Sequence, residues 1–186
     1  MRTMFFILMS LVLSATIHAQ SINQEISMET GEKFLVGEIS KAGLSQPYYA
    51  KWFTPNYTNY KVNTAIISNI KEELHKYHIL VFLGTWCGDS KKQVPRFLKI
   101  LASAKFPENQ LKIVALDKRR GAYKQSPTRE EWGLQILRVP TFVIFKNGRE
   151  VNRIIESPNT TLEEDLEKIL KSYGYSANKA KSLHFD

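Results

Sequence analysis

The apolar run Ile79-Leu80-Val81-Phe82-Leu83 leads within a few residues into Trp86-Cys87-Gly88-Asp89-Ser90 and then into a stretch with helical spacing, so the chain turns there from strand to helix. Cys87 sits on that turn and is the only cysteine in the chain. The N–H groups at a helix start attract anionic sulfur, which places a thiol at this point to react. With one cysteine no internal disulfide can form, and stability has to come from packing. A second sulfur three residues on would complete Cys-x-x-Cys; Ser90 stands there instead.

From Asn63 onward, helix and strand patterns alternate. Ile66, Ile67, Ile70 and Leu74 mark one face of a helix ahead of the strand over 79–83, and Val94, Phe97, Leu98 and Leu101 mark the next helix, which carries Pro95 inside it. An interior proline costs about 3 kcal/mol in a helix, so Pro95 needs a structural return. A third unit runs from a strand over 112–116 through a long loop to a helix over 129–136. Residues 142–145, the turn Lys146-Asn147-Gly148-Arg149 and residues 151–155 form a β-hairpin, with Asn-Gly supplying the positive φ angles of a type I′ turn. The last helix opens at Thr160 or Thr161, each with Glu three residues on, buries Leu162, Leu166, Ile169 and Leu170, and ends at Gly174. Helix-strand-helix-strand-helix-strand-strand-helix is the order of an α/β sheet closed by an antiparallel hairpin.

Trp86-Cys87-Gly88, Pro95 eight residues after the cysteine, Val139-Pro140-Thr141 and Phe145-Lys146-Asn147-Gly148 stand in the order of four landmarks of the thioredoxin family, and over about residues 62–173 the chain resembles that family. The resemblance implies a thioredoxin-like α/β fold: a central mixed sheet flanked by helices, here with an N-terminal extension over 20–61. It implies a nucleophilic Cys87 beside Trp86, with Ser90 in the place of the second thiol. It also implies a substrate groove bordered by Gly88, Asp89, Val139, Pro140 and Thr141, with Pro140 cis, where backbone groups could pair with an extended peptide as an added strand.

The departures from the family pattern are informative. Val81 occupies the place, six residues before the nucleophile, of a buried carboxylate that moves protons for the second thiol; its loss matches the loss of that thiol. Asp89 replaces the usual proline and repels a neighbouring thiolate, while Lys91 and Lys92 attract it. From Cys87 to Pro140 is 53 residues, longer than is usual, and the surplus falls over 118–128. Ser90 serves as a helix-start hydroxyl, as a hydrogen-bond partner of the Cys87 sulfur, or as both at once. A lone cysteine is often no more than a small buried hydrophobe; the strand, Trp86, the helix and Val139-Pro140-Thr141 argue against that here.

Arg2 precedes an apolar stretch from Met4 to Leu13, followed by small and polar residues to Ala19, which is the pattern of a secretory signal peptide over 1–19. A membrane anchor is the competing reading, but the stretch falls short of the roughly 20 residues a span needs. Without that segment 167 residues remain and the formal charge falls from +8 to +7, with 25 Lys and Arg against 18 Asp and Glu. The mature chain is then exported, periplasmic or secreted, with no stable membrane anchor. Its basic character suits acidic partners or anionic surfaces. The longest basic block is Lys118-Arg119-Arg120, which argues against nucleic acid.

Between Tyr48 and Tyr60 six aromatics crowd into thirteen residues; Tyr48/Tyr49 and Trp52/Phe53 pack at helical spacing in a helix ending at Thr54-Pro55, with a substrate platform as the other reading. Residues 34–39 form a strand that adds to the sheet, and the tail over 174–186 is loose. Lys118, Arg119, Arg120, Lys124 and Arg129 belong to a solvated loop rather than a binding patch. Four histidines and one cysteine give no metal-site spacing, and no cofactor is implied.

Two functions follow. In the first, Cys87 attacks protein or small-molecule disulfides and holds a mixed disulfide until the substrate's own thiol or an external thiol reductant releases it. In the second, the groove binds cysteine-containing or unfolded peptides without turnover. A retained exposed cysteine favours the first, and leaves a Cys87-linked dimer open. A one-thiol iron–sulfur site shares only Cys-Gly-x-Ser with this chain and lacks the preceding Trp86.

Overall fold

A computed structural model describes residues 22–178. The segment read as a signal peptide and the tail beyond 178 lie outside the described residues. The elements in chain order are β1 (Gln24–Ser27), β2 (Lys33–Glu38), α1 (Lys41–Leu44), α2 (Pro47–Thr58), α3 (Thr64–Leu74), β3 (His78–Leu83), α4 (Gly88–Ser103), β4 (Leu111–Ala115), β5 (Thr141–Lys146), β6 (Arg149–Ile155) and α5 (Leu162–Leu170). They build a six-stranded sheet in the order β1-β2-β4-β3-β5-β6. Only β3 and β4 run parallel; the other neighbours are antiparallel. This is the mixed, helix-flanked α/β fold that the sequence implies.

Local chemistry sets the element ends. Asn63 caps α3 by accepting the Ile66 N–H, and Thr161, rather than Thr160, caps α5 by accepting the Glu164 N–H. Asn147 and Gly148 hold φ of 52° and 73°, as the type I′ hairpin turn between β5 and β6 requires.

Side chains alternate along a strand, and that alternation divides the interior. Ile79, Val81 and Leu83 of β3 join Ile113 of β4 and Phe142 and Ile144 of β5 in a core shared with buried residues of α2, α3, α4 and α5. Within it the Phe97 and Phe142 rings lie 4.3 Å apart, and neither is exposed. Leu80, Phe82, Val114, Val143 and Phe145 belong instead to a smaller cluster with Leu134, Ile136, Val139, Trp86 and Cys87.

Three sequence readings are corrected. Residues 129–136 form a succession of turns, not a helix, because Arg129, Gly133 and Gln135 take φ of 60°, 75° and 50°. Each of these left-handed residues breaks the helical run that the apolar spacing suggests. The aromatic helix α2 does not stop at Thr54-Pro55 but carries Pro55 inside it to Thr58. Finally, α5 ends at Leu170, ahead of Gly174, and Ser172 takes the first left-handed conformation after it, at φ 56°.

The N-terminal segment belongs to the body of the protein. β2 extends the sheet by pairing Gly37 with Ala115 and Glu38 with Val114, so the strand expected over 34–39 is present. Tyr49 and Phe53 of α2 are buried in the larger core, whereas Tyr48 is exposed. At the other end, the Tyr175 hydroxyl donates to Asp165 at 2.8 Å and the Tyr175 carbonyl accepts from Asn152, docking the chain just after α5. No helix among the described residues is long and apolar enough to cross a membrane.

Candidate active site

The turn from β3 to α4 is built around Gly84. The indole of Trp86 lies so close over it that a Cβ on residue 84 would come to 2.6 Å from Trp86 Cε2, a distance only glycine avoids. The Cys87 N–H donates back to the Gly84 carbonyl at 2.8 Å, and the Cys87 carbonyl then accepts the Lys91 N–H at 3.0 Å. Cys87 is thereby the N-cap of α4, in extended conformation with φ −85° and ψ 131°.

The Cys87 thiol is half-buried and donates to the Val139 carbonyl at 3.2 Å. The bond joins the helix start to the Val139–Pro140 peptide, which is cis, 52 residues further along the chain. Ser90 is fully buried, and its hydroxyl accepts the Gly84 N–H at 3.2 Å. Of the two roles open to Ser90 from sequence, the structure places its hydroxyl at the start of α4, where its hydrogen bond is to Gly84, inside the turn that carries Trp86 and Cys87.

Trp86 donates from Nε1 to the Leu116 carbonyl at 2.9 Å, and its ring centroid lies 5.6 Å from that of Tyr123. Gly88 and Asp89 are exposed on the first turn of α4. Val139, Pro140 and Thr141 are buried, and the carbonyls of Val139 and Pro140 accept from the Cys87 thiol and the Glu156 N–H at 3.2 and 2.7 Å. The Thr141 hydroxyl donates to the Arg138 carbonyl at 2.7 Å and fixes the approach to Pro140. Val81, in the place of the family's buried carboxylate, is fully buried in the larger core.

Two residues near the site escape sequence reasoning. Thr85 Oγ1 accepts the Leu35 N–H at 3.0 Å inside the protein, which fastens β2 to the cysteine turn. Tyr123 covers Trp86 from the long loop, and neither periodicity nor spacing signals it. The basic residues of that loop are tied down as well as solvated. Lys118 pairs with Glu32 at 2.5 Å, Arg119 with Asp117 at 2.6 Å, Lys124 donates to the Leu137 carbonyl, and Arg129 sits 4.5 Å over the Trp132 ring. On the other side, Lys33 hydrogen-bonds Glu25 and, with Tyr49, holds its carboxyl below the ordinary range against the opposing effect of burial.

A half-buried sulfur at a helix start, beside a cis X–Pro peptide and next in sequence to a tryptophan, is the arrangement that the family resemblance implies. The family model described as Thioredoxin matches residues 48–169. The chain belongs to the thioredoxin family. Its match begins within α2, so the family region takes in part of the aromatic segment. The chain is 29% identical over 110 residues to a thioredoxin of Coprinus comatus, covering 56% of this chain and 96% of that one. To a thioredoxin of Malassezia sympodialis it is 30% identical over 88 residues, covering 47% and 76%. Among solved structures, a Pseudomonas aeruginosa protein of unknown function matches at TM-score 0.37 and 17% identity, over 67% of this chain and 70% of its own. Mitochondrial thioredoxin 3 of Saccharomyces cerevisiae, in oxidized form, matches at TM-score 0.35 and 22% identity, over 57% and 89%.

Proposed function

We propose that this thioredoxin-family protein is exported and performs thiol–disulfide exchange with one thiol. The Cys87 thiolate attacks one sulfur of a substrate disulfide; a bond forms between the two sulfurs, the old S–S bond breaks, and the other substrate sulfur leaves as a thiolate. With Ser90 at the second position, the mixed disulfide has no internal resolving thiol. A thiol of the substrate attacks the substrate sulfur of the mixed disulfide and frees Cys87 as a thiolate, giving isomerisation; alternatively one external thiol attacks the Cys87 sulfur and expels the reduced substrate, and a second external thiol then frees Cys87 as the two reductant thiols become a disulfide, giving reduction.

The observation that carries this reading is the Cys87 sulfur at the N-cap of α4, 3.2 Å from the Val139 carbonyl and next to the cis-Pro140 wall. A thiol there can meet a disulfide in a chain lying along residues 139–141. Export rests on the N-terminal sequence pattern alone.

A second reading, a groove that binds unfolded chains without turnover, draws on the exposed side chains of Tyr123, Trp132 and Leu137 in the loop beside Trp86. Turnover separates the two. A peptide whose cysteine is capped by a small thiol is incubated with the protein and a second small monothiol. Multiple rounds of uncapping, abolished in Cys87→Ser, support exchange; binding of the peptide with no uncapping above background supports the groove alone.

A further inference from the structure

A cleft of about 260 Å³ opens beside the active-site turn, between the N-terminal layer and the start of α4. Trp52 of α2 and Trp86 form its apolar walls, and Lys33, Lys51 and Lys91 stand on its rim. The one acid lining it, Glu32, is held by Lys118, and Lys33 is held by Glu25. Lys51 and Lys91 make no ion pair with any described residue, which leaves two uncompensated ammonium groups at one small, half-apolar opening. Asp89, on the same turn of α4 as Lys91, is exposed but does not line the cleft.

The cleft lies within a short reach of the sulfur, because Lys91 is one helical turn from Cys87 and its N–H bonds the Cys87 carbonyl. Thr85 and Trp86, which line the cleft, directly precede Cys87, and an extended chain advances roughly 3.3 Å per residue, so residues flanking a cysteine joined to Cys87 come within reach of it. Like charges held close together favour an anionic occupant, and desolvation against the two indoles strengthens the attraction.

We propose that this cleft receives carboxylate side chains of an acidic polypeptide segment that flanks the substrate cysteine, and so selects acidic chains for reaction at Cys87. This rests on Cys87 being the nucleophile. It gives the N-terminal layer, through Lys51 and Trp52, a part in substrate choice besides packing.

The test uses three peptides, alike except that the residues flanking a single cysteine are Glu, Gln or Lys, each activated as a 2-pyridyl disulfide. Attack by Cys87 on the peptide sulfur forms the protein–peptide disulfide and expels 2-thiopyridone, whose absorbance gives the rate without any external reductant. At low ionic strength the Glu peptide should react about three- to tenfold faster than the Gln peptide, with the advantage shrinking as salt is added. In Lys51→Gln and in Lys51→Gln/Lys91→Gln the Glu-to-Gln ratio should fall toward one. In Lys71→Gln/Lys168→Gln, which removes the same charge from helices α3 and α5 at their far ends, it should persist. Equal rates for the three peptides, or a ratio unchanged in the Lys51 and Lys91 variants, would overturn the cleft while leaving the nucleophile in place. No adduct with any peptide would overturn the reading of Cys87 itself, and the cleft with it.

Discussion

Ile79, Val81 and Leu83 of β3 look into a core that four helices share, whereas Leu80 and Phe82 of the same strand meet Leu134, Ile136 and Val139 from a stretch of turns. The helices satisfy their own backbone groups and bring long rows of apolar side chains to the sheet. The loop closes its cluster with few apolar residues and depends on polar ties: Ser126 donates to Glu131 at 2.6 Å in a buried position, Arg119 grips Asp117, and Lys124 reaches the Leu137 carbonyl. Trp86 and Cys87 pack on this loop-closed cluster. The Cys87 sulfur is thus held on the side of the sheet that turns cover rather than helices.

The largest effect tests whether the N-terminal layer belongs to the helix-covered core. A chain beginning at Val62 lacks β2 and α2, and with them the buried Leu35, Tyr49 and Phe53. It should show no cooperative melting transition by circular dichroism; a transition at the full chain's temperature would detach that layer from the core.

Next in size is a paired measurement across the sheet. Phe97→Ala should cost about 4 kcal/mol in urea unfolding and Ile136→Ala about 2 kcal/mol, since a ring in a tight core leaves a larger cavity than a side chain under a loop that can settle. Equal losses would erase the distinction between the two sides.

The smallest effect lies at the pole away from Cys87. There Lys146 and then Lys76 hydrogen-bond Glu73 and hold its carboxyl down at about 2, below its ordinary 4.5. A carboxyl lowered in the folded state contributes stability above pH 4.5 that is lost as pH falls toward 2. The pair is solvent-exposed, so the loss is slight. Urea midpoints of Glu73→Gln should change less than those of wild type between these two pH values, and identical pH profiles would remove Glu73 from the acid response.

The same contrast separates what the sequence reveals from what it hides. On the helix-covered side, periodicity was enough: Ile67, Ile70 and Leu74, then Val94, Phe97, Leu98 and Leu101, all face the core, and Asn147-Gly148 marks the hairpin. On the loop-closed side the apolar residues between 129 and 136 mimic helical spacing, but three left-handed residues cancel it, and nothing in residue type announces them at Arg129 and Gln135. Cys87, Trp86 and the Val139-Pro140 peptide were legible because their residue types are unusual and ordered. The roles of Ser90 and Thr85 were not, because a hydroxyl in a turn has several partners within reach and only the fold decides among Gly84, Leu35 and the sulfur. Pro55 suggests a helix end, but its cost to α2 is outweighed by the burial of Tyr49 and Phe53 around it.

The central claim, that Cys87 is a lone nucleophile, is tested most directly by the intact mass of the protein after reaction with a peptide disulfide. The account predicts a single peptide adduct on wild type that persists after excess peptide is removed, disappears when a small monothiol is added, and never forms on Cys87→Ser. Absence of the adduct on wild type, or its formation on Cys87→Ser, would contradict it.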